Sequence, residues 1–203
     1  MIALWIIATL LGVILITAGC AAKQQATPTP TPTLTPTQTP QIPVEIVIYT
    51  DYQCPECAYL HVQVESQLLS RYVYTGKAHI DLVMMDSEGP DSLRAAEATL
   101  CAGDQGKFWE YRNTLYTYYF REGLTAYSAE ELLKVARELG LDMEAFTSCL
   151  ENEVKKPEVE ANMQRGQEAG VTGTPTVFIN GVEVPDRATL ATYIAIIDGL
   201  LAK

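Results

Sequence analysis

Hydrophobic and polar residues follow three regimes along the chain. From Ile2 to Ile16 the sequence is almost uninterruptedly apolar, and residues 2–19 carry no charge. Residues 23–43 then alternate threonine with proline and hold no apolar period. From Val44 onward the pattern takes on the spacing of packed structure. Val44-Glu45-Ile46-Val47-Ile48-Tyr49 is β-branched and predicts a strand. Thr50 to Gln53 reads as a turn, and Cys57, Leu60, His61, Val64 and Leu68 recur at three and four residues, predicting a helix. His79 to Met85 predicts a second strand. Strand, helix, strand at this spacing implies a parallel pair.

From Pro90 the period is helical for about 75 residues. Ser128-Ala129-Glu130-Glu131 is a capping-box start, and Gly140 a stop for that helix. Glu151–Glu160 reads as a solvated linker leading into another helix. Strand character returns at Thr176-Val177-Phe178-Ile179, and the Asn180-Gly181 turn with Val182-Glu183-Val184 completes a hairpin. Asp186 is expected to open a last helix with Leu190, Tyr193, Ile194 and Ile197 on one face. The order is βαβ, a helical block, then ββα. This predicts an α/β domain over 44–203 with a helical insertion at about 90–165.

Charge narrows the function. All 25 acidic residues follow position 44, and Lys23 is the one basic residue of 14 that precedes it. The folded part thus sets 13 basic against 25 acidic residues, a balance that argues against nucleic acid, which needs clustered positive charge. The apolar start followed by Thr17-Ala18-Gly19-Cys20 resembles the lipobox of bacterial lipoproteins, which implies cleavage before Cys20 and lipidation of its thiol. An uncleaved spanning helix over residues 1–22, or simple secretion, are the alternatives. All three place the domain outside the cytoplasm, and the first two anchor it to the membrane. The Thr/Pro-rich segment 23–43 is expected to be an extended tether reaching up to about 65 Å.

Five cysteines divide into Cys20 and four in the folded part. Cys54-Pro55-Glu56-Cys57 stands where the first helix begins. Free N–H groups and a partial positive charge at a helix N-terminus favour thiolate, and proline suits the first turn. Cys54, the more exposed, is expected to attack, and Cys57, on the apolar face, to resolve. Zinc binding by Cys54, Cys57 and His61 is the competing reading and requires a fourth ligand from Cys101, Cys149 or His79. Cys101 and Cys149 each lie on an inward helical face. They are expected to form a structural disulfide closing nearly 50 residues, the alternative being two buried free thiols.

Three ordered segments carry a resemblance. Asp51-Tyr52-Gln53-Cys54-Pro55-Glu56-Cys57 with Leu60-His61, Cys101-Ala102-Gly103-Asp104-Gln105-Gly106-Lys107-Phe108-Trp109-Glu110, and Gly170-Val171-Thr172-Gly173-Thr174-Pro175-Thr176-Val177-Phe178-Ile179-Asn180-Gly181 resemble the DsbA-like thioredoxin family. The resemblance implies a thioredoxin fold with an inserted helical domain. It implies a cis Pro175 beside the cysteine pair and a Thr174 backbone that pairs with substrate. It also implies an extracytoplasmic thiol–disulfide oxidoreductase acting on unfolded or reduced exported polypeptides. No cofactor or metal is expected, and a membrane redox partner would reset the pair. The strongly oxidising members often carry histidine where Glu56 stands, and a carboxylate opposes a thiolate. A reductase or isomerase, or a metallochaperone, are therefore the alternatives. His61 is read as a packed helix residue that could tune the thiolate. Trp109, Tyr111, Tyr116, Tyr118 and Tyr119 are read as core of the helical block rather than as a peptide groove.

Overall fold

The computed structural model describes residues 44–202; Cys20, the apolar segment and the Thr/Pro-rich tether lie outside them. β1 (Val44–Thr50) is the central strand, because its alternate residues Val44, Ile46 and Ile48 are buried while Glu45 faces out. It pairs in parallel with β2 (Ala78–Met84) and antiparallel with β3 (Thr176–Ile179). A two-residue strand, β4 (Val182–Glu183), adds to β3, giving the sheet order β2-β1-β3-β4. Asn180 holds φ 48° and Gly181 φ 77°, the left-handed pair that the tight hairpin turn demands. The turn is tied to the central strand, since Asn180 Oδ1 accepts from the Glu45 N–H at 2.8 Å.

Helix α1 is a continuous run over residues 55–73, in which α turns (Pro55–Leu60, Ser66–Leu68) alternate with wider π turns (His61–Glu65, Leu69–Val73). The expected face of Cys57, Leu60, His61, Val64 and Leu68 is buried throughout. Glu65, one turn beyond His61 on the same side of the helix, is buried as well. Five helices then form the insertion: α2 (Pro90–Gly103), α3 (Phe108–Glu122), α4 (Ala129–Glu138), α5 (Met143–Glu151) and α6 (Lys156–Glu168). Ser128 caps α4 by accepting from the Glu131 N–H at 3.4 Å. The stretch expected as a linker at Glu151–Glu160 is mostly helix, because α5 runs to Glu151 and α6 begins at Lys156 after a turn with Glu153 at φ 50°.

The last helix, α7 (Leu190–Leu201), starts four residues later than expected. Asp186 is not its cap. Arg187 holds φ 58°, which breaks the helical path, and Thr189 caps instead, accepting from the Thr192 N–H at 3.4 Å. Tyr193 and Ile197 of α7 join Leu60, Val64 and Leu68 of α1 in the core beneath the sheet. A separate core fills the helical insertion around Tyr111, Leu115, Leu132 and Phe146. The insertion meets the sheet where Arg165 pairs with Asp81 at 2.6 Å and Asn162 Nδ2 donates to the Met84 carbonyl at 3.1 Å. Among the described residues no helix is long and apolar enough to cross a membrane.

Candidate active site

Cys54 occupies the N-cap of α1. Its backbone is extended, and Pro55 sits in the first turn, where the missing N–H costs no helical bond. The Cys54 Sγ accepts from the Cys57 N–H at 3.3 Å, the bond an anionic sulfur would use at a helix N-terminus. The Cys54 thiol is brought down to about 7 by the Cys57 thiol beside it and by the backbone N–H groups of Cys57 and Glu56, against the opposing effect of burial. Burial and the neighbouring Cys54 drive the Cys57 thiol strongly the other way. The two sulfurs are free and differ little in exposure, 3% for Cys54 and 1% for Cys57. Unequal exposure was the expected basis of their roles. The asymmetry lies in what surrounds each sulfur: Cys54 accepts from its partner thiol and the helix-terminal N–H groups, whereas burial weighs most on Cys57.

From the far side of the chain comes the loop before β3. The Thr174–Pro175 peptide is cis, and the Cys54 thiol donates to the Thr174 carbonyl at 3.1 Å. The Thr174 hydroxyl is buried with no hydrogen-bond partner among the described residues. Beside Pro175 opens a cleft of about 310 Å³ whose walls include Tyr59, Leu60, Val64, Val184 and Tyr193, with Glu56 at its mouth. The Glu56 carboxylate is 4.0 Å from the Cys54 sulfur. A cleft of this size, with apolar walls edged by Glu56, Asp186 and Arg187, can seat a side chain of an extended polypeptide.

A family model described as Thioredoxin matches residues 39–199. The chain belongs to the thioredoxin family. Its helical insertion and cysteine turn give this thioredoxin-fold chain a DsbA-like arrangement. The probable disulfide bond formation protein D of Bacillus anthracis is 29% identical over 143 residues, covering 68% of this chain and 66% of that one. The Na(+)/H(+) antiporter NhaA 1 of Salinispora arenicola is 32% identical over 149 residues, 70% of this chain and 21% of that one. The chain thus spans just under two-thirds of the first relative and about a fifth of the second. Among solved structures, oxidised BdbD of Bacillus subtilis superposes with a TM-score of 0.68 at 19% identity, covering 81% of this chain and 91% of that one. Reduced DsbA of Mycobacterium tuberculosis gives 0.67 at 22% identity, covering 84% and 88%. These two likenesses establish the fold.

Other expected site residues fall in different places. Cys101 and Cys149 are joined by a disulfide, with Cα atoms 6.0 Å apart, in the core of the insertion rather than at the cysteine pair. His61 does not face the two cysteines as a ligand would. Its ring stacks on Tyr116 at 4.6 Å, and its Nδ1 lies 2.5 Å from Arg112 Nη1. Among the described residues no three His, Cys, Asp or Glu side chains converge as a metal site. Tyr111, Tyr116 and Tyr118 are buried in the insertion, while Trp109 packs half-buried against the sheet core.

Two polar groups behind the site carry no special mark in the sequence. Arg112 and Glu65 are each 1% exposed and form a two-pronged ion pair, Nη1 to Oε1 at 2.6 Å and Nη2 to Oε2 at 2.9 Å. Burial opposes the Glu65 charge, but the Arg112 guanidinium and His61 outweigh it and hold the carboxyl below its ordinary range. The guanidinium also lies 4.9 Å over the Tyr116 ring. The spacing of His61 and Glu65, four apart on one helix, was the available signal; nothing in the sequence pointed to Arg112 as their partner. The second group, around Asp51, ties the cysteine turn to the insertion.

Proposed function

We propose that this protein is a thiol–disulfide oxidoreductase that oxidises thiols in exported polypeptides through Cys54 and Cys57. The observation that supports it best is the Cys54 sulfur, placed between the Cys57 N–H of a helix terminus and the carbonyl of Thr174, which precedes the cis Pro175. In the oxidised form a substrate thiolate attacks Cys54 Sγ. The Cys54–Cys57 bond breaks, a mixed disulfide forms, and Cys57 leaves as a thiolate that takes a proton from solvent. A second substrate thiolate then attacks the substrate sulfur of the mixed disulfide. Cys54 departs as a thiolate, two substrate thiols have become a disulfide, and the enzyme has gained two electrons. Thr174 and Pro175 line the substrate path, with the cleft beside Pro175 receiving an apolar side chain.

The domain organisation follows the same reading. Residues 1–22 export and anchor the chain, through Cys20 lipidation or a spanning helix, and residues 23–43 tether the catalytic domain of 44–203. The domain then works at the outer face of the membrane, where a membrane redox partner reoxidises the pair and where Cys101–Cys149 persists as a structural disulfide. The name of the Bacillus anthracis relative agrees with this role.

One observation favours a second reading. The Glu56 carboxylate beside Cys54, and a Cys54 thiol near 7, describe a less stabilised thiolate than a strong oxidant needs, which suits a reductase or isomerase. Equilibrating the purified domain with glutathione separates the two. A potential towards about −120 mV supports the oxidase, and one towards about −270 mV the reductase.

A further inference from the structure

Asp51 is 1% exposed, yet among the described residues its carboxylate has no cationic partner. Four neutral donors surround it. Oδ1 accepts from the Gln53 N–H at 2.8 Å and the Ser92 hydroxyl at 2.5 Å, and Oδ2 from the Ser87 hydroxyl and the Glu88 N–H, both at 3.1 Å. A turn of this kind needs only the first of these bonds, the local one. The other three reach 36 to 41 residues along the chain, into the segment that begins the inserted domain.

A reciprocal contact reinforces the link. The N-cap of α2 is Gly89, which has no side chain to cap with, and Gln53 serves instead: its Oε1 accepts from the Ser92 N–H at 3.0 Å. A Cβ on Gly89 would stand 3.2 Å from that oxygen, and its φ is 142°, so the position suits glycine on both counts. The turn 51–53 is therefore held by the insertion as well as by its own Cys54 N–H bond to the Asp51 carbonyl at 3.4 Å.

The held turn aims one group at the chemistry. The Asp51 N–H points to Cys57 Sγ at 3.4 Å, the backbone donor that reaches that sulfur. Cys57 is the leaving group when substrate attacks Cys54. A donor on the departing sulfur is worth most as negative charge develops there, in a site too buried for water to substitute.

We propose that Asp51, gripped by Ser92 and Ser87, is a positioning residue that sets how readily Cys57 leaves as a thiolate, and so how fast the oxidised pair exchanges. The proposal rests on the exchange reaction above. It gives the inserted domain a part in the redox chemistry, because its first turn fixes the donor.

Ser92→Ala tests it while leaving the Asp51 charge in place. The variant frees both Asp51 Oδ1 and Gln53 Oε1 from the Ser92 hydroxyl, and the loosened Asp51 N–H bond to Cys57 should lower the rate of glutathione attack on the oxidised pair by about five-fold while its equilibrium constant with glutathione stays within about two-fold. Ser87→Ala, at an exposed position where folding is not at risk, should slow the attack in the same direction by a smaller factor. The alkylation rate of Cys54 in the reduced domain should stay within about two-fold, since Cys54 is held by Cys57 N–H and Thr174 instead. A merely structural role would lower the melting temperature without this split. Exchange unchanged in both variants, or alkylation changing as much as exchange, overturns the proposal. If the unaltered domain does not exchange with glutathione at all, the oxidoreductase reading itself falls, and the proposal with it.

Discussion

Replacing Arg112 by methionine should be among the most damaging single changes in the protein. The guanidinium and the Glu65 carboxylate are each 1% exposed, and the pair is closed by two bonds of 2.6 and 2.9 Å. Removing the cation leaves a carboxylate in a dry site with His61 Nδ1, 3.5 Å away, as its nearest remaining partner. Breaking a buried pair from one side costs about 3–5 kcal/mol, because the stranded charge keeps its desolvation penalty and loses its compensation. For a domain of this size that corresponds to a melting temperature lower by about 6–20 °C. Glu65→Leu combined with Arg112→Met removes both charges. It should recover most of the loss, because two apolar side chains of similar volume need no partner. Urea unfolding followed by circular dichroism, for the two single variants and the double, gives the coupling directly.

The pH dependence carries a sign. Glu65 is an acid held below its ordinary range in the folded state, so its contribution is present above the unfolded carboxylate range and is lost as pH falls through the folded value. In Arg112→Met the deficit should be smaller at pH 5 than at pH 8, because Glu65, left with its burial and without the guanidinium, takes a proton more readily as pH falls. A cost below about 1 kcal/mol for Arg112→Met, or a double variant less stable than both single ones, would refute the reasoning.

Cys57→Ala should accumulate mixed disulfides through Cys54, whereas Cys54→Ala should abolish transfer; mass spectrometry of quenched reactions reads both, and adducts on Cys57 alone would reverse the assigned roles. Alkylation of Cys54 by iodoacetamide should rise with pH through a midpoint near the value of about 7 that its neighbours set; a midpoint at the ordinary thiol value would show that the helix-terminal donors have no effect. Glu56→His removes a carboxylate 4.0 Å from the sulfur and should make the couple more oxidising, by about 30 mV for each unit by which the Cys54 pKa falls. An unchanged potential would sever the link between Glu56 and the thiolate. Replacing Cys101 and Cys149 together by alanine reopens a closure of 48 residues and should cost up to about 4 kcal/mol in urea unfolding, with little effect on the Cys54–Cys57 potential.

Much of the fold was legible because its signals are local. β-branched runs, the Asn180-Gly181 turn and the Ser128 cap are each short-range features with one structural solution. The cysteine turn was legible for the same reason, since a helix start can be read from Pro55 and the apolar spacing after it. What sequence could not supply was three-dimensional partnership. Glu65 stands one turn beyond His61 on the buried side of its helix, but Arg112, the partner that makes a buried carboxylate tolerable, meets it from 47 residues away. Asp51 lay in plain view inside a quoted motif, but its four donors come from two segments that no periodicity connects. The start of α7 was misplaced because Asp186 looks like a cap, whereas the positive φ of Arg187 delays the helix to Thr189. The basis for the two cysteine roles shifted too: surface exposure barely differs between them, and the hydrogen bonds to Cys54 and the burial of Cys57 separate them.

Transfer of a disulfide from the purified domain to a reduced peptide is the most direct measurement of the central claim. The domain is fully oxidised at Cys54–Cys57, mixed with one equivalent of a peptide bearing two cysteines, quenched with acid and weighed. The account predicts an oxidised, cyclised peptide, a reduced Cys54–Cys57 pair, an intact Cys101–Cys149 bond and a transient adduct on Cys54. A peptide that stays reduced beside a pair that stays oxidised would contradict it.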